Sequence, residues 1–132
     1  MELNALYEHA DDNGIYVDCY DFTYTPSTSI LDEDVCYIGI NPFMLDSEAD
    51  EKVKLAHELG HCETGAFYNR YALCDIRAKH ERRADKWAIK KLVPKDELIE
   101  ACKYCHDRYE LAEYFDVTED FMQKALDYYK QS

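Results

Sequence analysis

Leu55-Ala56-His57-Glu58-Leu59-Gly60-His61-Cys62-Glu63-Thr64-Gly65 is the stretch on which the fold turns. On a helix, residues four apart project from one face, one turn above the other. His57 and His61 can then offer ring nitrogens to the same zinc ion, with Glu58 beside them as general base. A zinc ion makes water acidic enough for a neighbouring carboxylate to activate it at neutral pH. Two histidines leave the coordination unfinished. The chain must supply a third ligand and keep a fourth position open.

Five residues alone also fit a solvated helix with two surface histidines and a glutamate. The surroundings favour the site. Val53, Ala56, His57 and Gly60 share a helical face, and no proline interrupts residues 47–64. Ser47-Glu48-Ala49-Asp50 reads as an N-cap with an acidic first turn, and Gly65 suits the position just past the helix end.

Further along, Lys79-His80-Glu81-Arg82-Arg83-Ala84-Asp85-Lys86-Trp87-Ala88 sets Glu81, Ala84, Asp85, Ala88 and Leu92 on one helical stripe. Small alanines let such a stripe approach another helix closely. Its two carboxylates either pair with Arg82, Arg83 or Lys86 at the surface, or serve a metal. We adopt the second reading, with Glu81 as third zinc ligand. Asp85 then accepts a hydrogen bond from the other ring nitrogen of a ligand histidine and fixes its tautomer. Asp75 is expected to cap this helix, and Pro94 follows it.

Taken together, AHELGH, the later ERRADKWAIKKLVP block and the IGINP lead-in resemble the ImmA/IrrE-type metallopeptidases, many of them borne by phages and mobile elements. The likeness covers roughly residues 35–94, and the two blocks in this order are far more specific than His-Glu-x-x-His alone. Arg83 and Trp87 stand where many relatives carry Glu and Phe. The resemblance implies zinc bound by His57, His61 and Glu81. It also implies a protein substrate, a helix-turn-helix repressor of a phage or mobile element.

A length of 132 residues fits one domain, spanning 1–132, with a modest core. Twelve tyrosines in a chain 47% hydrophobic exclude disorder. With 28 acidic against 15 basic residues, the net charge is −13. That disfavours direct contact with nucleic acid or anionic membranes, and suits either a basic protein partner or simple solubility. The opening MELNALYEHADDNG has no basic or apolar leader segment, so a cytoplasmic protein is expected. No run is apolar enough to span a membrane. In that compartment the six cysteines are expected to be thiols.

In order, residues 2–11 predict a helix with Leu3, Leu6 and Tyr7 inward. Residues 15–20 alternate as a strand, 21–34 read as a loop, and 35–40 form a second strand stopped by Asn41-Pro42. One sheet edge over the active-site helix would receive an extended substrate segment by strand addition. Residues 66–74 are a tyrosine-rich connection. Residues 97–104 and 109–114 predict short helices. Thr118 caps a last one, with Val117 and Met122 placed for a hydrophobic staple.

Two further patterns carry blander readings. Cys102-Lys103-Tyr104-Cys105-His106 matches a haem-attachment pattern, but that chemistry needs export, so these read as thiols on a packed helix. LAEYFDVTEDFMQKALDYY resembles a helix-turn-helix, yet its second helix begins Thr118-Glu119-Asp120, which repels phosphate. It reads as two packed helices completing the domain.

The expected architecture is α+β: a small N-terminal sheet packed on a mainly helical, zincin-like body with one catalytic zinc. The expected reaction is peptide hydrolysis. Tyr68, Tyr71 and His80 are candidate stabilisers of the oxyanion, on sequence proximity alone. One rival is a non-hydrolytic zinc-binding regulator that sequesters a partner, against which the intact Glu58 argues. A purely structural module would call for four protein ligands.

Overall fold

The computed structural model describes residues 1–21, 25–68 and 72–131. Among these residues the order is α1 (Leu3–Asp12), β1 (Tyr16–Cys19), β2 (Ser27–Asp32), β3 (Val35–Ile40), a 3-10 turn (Pro42–Met44), α2 (Glu48–Thr64), α3 (Cys74–Leu92), α4 (Lys95–Ala101), α5 (Arg108–Phe115) and α6 (Glu119–Gln131). The fold is α+β, a three-stranded sheet with six α-helices. No helix among the described residues is long and apolar enough to cross a membrane.

β2 corrects the sequence reading, which took residues 21–34 as loop. The sheet order is β1-β3-β2, with β1 parallel and β2 antiparallel to the central β3. The register sets Ser27 opposite Ile40 and Ser29 opposite Ile38. A strand whose inward residues are serines lacks the apolar alternation that marks a half-buried strand. The turn also hides itself. Glu33 and Asp34 both adopt positive φ, 49° and 66°, as a tight two-residue hairpin turn requires, without the Asn-Gly or Asp-Gly that signals one.

α2 forms as its sequence dictates. The Ser47 hydroxyl accepts the Asp50 N–H at 3.1 Å, and Gly65 ends the helix at φ 65°. Leu55, Ala56 and Leu59 are fully buried among Leu6, Ile38, Ile40, Ala88 and Leu92. Lys52 is buried on the same helix, its ammonium donating to the Phe115 carbonyl at 2.7 Å. That carbonyl closes α5, where the helix dipole favours a cation.

α3 packs along α2 through the stripe anticipated for it: Ala84, Ala88 and Leu92 are buried. Its start differs. Leu73 occupies the N-cap position without a side-chain bond, and Asp75 lies inside the first turn, accepting the Ile76 N–H at 3.0 Å. Downstream, Asp107 caps α5 and Thr118 caps α6, with Val117 and Met122 both buried around that cap.

The cysteines need two corrections. Cys36 of β3 and Cys62 of α2 form a disulfide, their Cα atoms 5.9 Å apart and 26 residues apart in sequence. No local pattern announces the pair, which meets only when β3 lies on α2. Cys19, Cys74, Cys102 and Cys105 are free. Cys102 and Cys105 follow the end of α4 instead of sitting on a packed helix.

Candidate metal centre

α2 and α3 bring the predicted residues into one cleft of about 560 Å³, which His57, Glu58, His61, Tyr68, Glu81 and Asp85 help to line. His57 and His61 face α3 from successive turns. Glu81 spans them: one carboxylate oxygen lies 2.8 Å from His57 Nε2, the other 3.2 Å from His61 Nε2. One ligand atom from each of the three residues lies within 4.8 Å of the others.

The far sides of the imidazoles are also held. His57 Nδ1 meets Asp85 Oδ1 at 2.8 Å, and His61 Nδ1 meets the Ala66 carbonyl at 2.5 Å. Both partners only accept, so both Nδ1 atoms donate, and each Nε2 can turn a lone pair toward the other and toward Glu81. That donor set suits a divalent metal ion. Asp85 has a second partner from outside the two helices, Lys124 Nζ of α6 at 3.2 Å.

Glu58 is buried at 6% exposure, and both its oxygens are engaged. Ser27 Oγ donates to Oε2 and Ser29 Oγ to Oε1, each at 2.7 Å. Of the oxyanion candidates, Tyr68 lines the cleft and donates to Glu81 Oε1 at 2.8 Å. The His80 ring stacks on Tyr68, with centroids 6.1 Å apart, and does not itself line the cleft. Tyr71 lies outside the described residues. Sequence reasoning missed Ser27, Ser29 and Lys124. The serines had one usable signal, the alternation of Ser27 and Ser29 with Thr28 and Ile30; Lys124 had none.

Without a metal these groups titrate against one another. Burial opposes the charged form of His57, yet its bonds to Asp85 and Glu81 and the charge of Glu58 outweigh that and raise its pKa to about 9. His61 moves the same way: its bonds to Glu81 and Ala66 overcome burial. Hydrogen bonds from His57 and His61 hold Glu81 well below the usual carboxylate range. Burial would raise Asp85, but His57 and Lys124 lower it.

A metal must displace the imidazole protons, so its affinity should climb with pH. The expected slope is about tenfold per pH unit for each proton displaced, levelling off above about pH 9. The metal-free fold shows the opposite sign. Because His57's folded pKa is raised, its stabilisation is complete below the unfolded value and is lost as pH rises through about 9. Calorimetric titration in buffers of different ionisation enthalpy counts the released protons. Affinity that stays flat across this range would refute the coupling.

A helix-borne histidine pair with a glutamate between them, and a second glutamate from a facing helix, define a site of the metallopeptidase class. The family described as Peptidase_M78, IrrE N-terminal-like domain, matches residues 11–127. The chain belongs to this family, the ImmA/IrrE metallopeptidases. No curated protein and no solved structure matches this chain.

Proposed function

We propose that this chain is a zinc-dependent endopeptidase that makes selective cuts in a protein substrate, and that the substrate is a helix-turn-helix repressor of a phage or mobile element. The observation that carries the hydrolytic part is the convergence of Glu58 with His57, His61 and Glu81 in one open cleft. A protein that merely held a metal would have no use for Glu58 there.

In this reading His57, His61 and Glu81 hold the ion, and Asp85 keeps His57 in the tautomer that presents Nε2. When bound, zinc polarises the scissile carbonyl and acidifies water. Glu58 takes the water's proton and passes it to the departing amine nitrogen. The Tyr68 phenol lines the same cleft, and its one O–H is given to Glu81 Oε1; it would serve the developing oxyanion only on turning away from that carboxylate. β2 is an edge strand whose inner side reaches Glu58, so an extended segment pairing along it would lie beside the base.

The repressor rests on the family and on charge. A surface of net charge −13 suits a basic DNA-binding protein. One selective cut would release its operator, and low activity on generic peptides is expected. The test is co-expression with the repressor encoded beside this gene, comparing wild type with Glu58→Gln. Discrete repressor fragments with wild type alone support hydrolysis. Loss of repressor with both proteins points to sequestration or to triggered degradation by other enzymes, and an untouched repressor removes this substrate.

A further inference from the structure

We propose that Ser27 and Ser29 are positioning residues for Glu58, so that the edge strand β2 sets the aim of the general base. The inference deepens the reading above and rests on it for the role of Glu58.

Residues 27 and 29 point to one face of β2 because side chains alternate along a strand. Their partners in register on β3 are Ile40 and Ile38, which are 1% and 2% exposed. Residues directly opposite in an antiparallel pair share a face. This inner face is therefore apolar on β3 and hydroxyl-bearing on β2. Packing alone would place valine or isoleucine at both serine positions. The exception has a target: each hydroxyl meets a different oxygen of the same carboxylate, both at 2.7 Å.

Two donors accomplish what one cannot. Glu58 is almost shut off from solvent, and the hydroxyls replace part of the hydration its charge would lose. The last torsion of a glutamate is soft, so a single bond would leave the carboxylate free to swing. One bond per oxygen fixes its plane. Each oxygen has about two lone-pair directions, and the serines occupy one apiece. Each oxygen therefore keeps a direction from which to accept a proton.

The test uses the full-length, metal-loaded chain carrying Ser27→Ala, Ser29→Ala, both together, and Ser→Thr at each position. The first readout needs no turnover: the carboxylate stretch of Glu58 in difference infrared spectra, assigned with Glu58→Gln. It should shift in each alanine variant, shift further in the double, and return with threonine. The second readout is kinetic. We expect kcat to fall about tenfold in each alanine variant and about a hundredfold in the double, the scale of a misplaced catalytic group. KM and metal affinity should stay within about twofold, since neither serine belongs to the donor set that suits the ion.

A double variant with an unshifted carboxylate band would overturn the proposal. So would a loss of kcat matched by loss of metal, which would make the serines merely structural. If the band shifts as expected and wild type hydrolyses nothing, the clamp stands and the peptidase reading fails.

Discussion

Gly60→Ala is expected to destabilise the chain by about 3 kcal/mol or more, and to weaken metal binding at the same time. Inside a helix this exchange ordinarily stabilises by about 0.5–1 kcal/mol, because glycine loses more backbone freedom on folding. Here packing reverses the sign. A Cβ on Gly60 would press on the carbonyl oxygen of Ala84 and stand 2.9 Å from its Cα and 3.0 Å from its carbonyl carbon. These are backbone atoms of α3, and no rotamer change moves them aside. The helices must separate. Ala84 lies between Glu81 and Asp85 on the stripe that faces α2, so separation also carries both carboxylates away from His57 and His61. Denaturant unfolding and a chelator competition measure the two effects. A Gly60→Ala chain with wild-type stability would show that the helices do not meet this closely.

That contact shows what was legible in the sequence. The helix through residues 48–64 was readable because local signals agreed: a serine cap, acidic residues in the first turn, histidines four apart and a glycine at the end. The second helix was readable from the small-residue stripe around its two carboxylates, and the structure uses that stripe where Gly60 meets Ala84. What escaped was non-local, or chemically unlike its usual signal. β2 presents serines where a strand normally presents aliphatic residues, and its turn forces Glu33 and Asp34 into a backbone conformation favoured by glycine and asparagine. The Cys36–Cys62 disulfide and the Lys124–Asp85 bond join residues 26 and 39 positions apart, with no pattern at either end to announce a partner. Glu58 stood out through a motif of five residues. The groups that hold its carboxylate come from the sheet, which the motif does not encode.

Glu81→Ala should lower metal affinity by more than about a hundredfold, beyond what losing an outer hydrogen-bond partner such as Asp85 costs. Among the described residues Glu81 alone of the donor group comes from α3, and it contacts both imidazoles, at 2.8 and 3.2 Å. With alanine there, His57 and His61 remain as two neutral donors on one helix. They supply neither the charge nor the third position that a tetrahedral site with one open place requires. Thermal unfolding with and without zinc reads the same loss through linkage: the ion should raise the unfolding temperature of wild type and leave the variant nearly unmoved. Glu63→Ala is the matched control. Glu63 also lies on α2 and also pairs with a histidine, His9 at 2.7 Å, but it does not line the cleft. Its removal should cost little metal affinity. A Glu81→Ala chain that binds zinc as tightly as wild type would remove Glu81 from the ligand set and return its carboxylate to a hydrogen-bonding role between the two histidines.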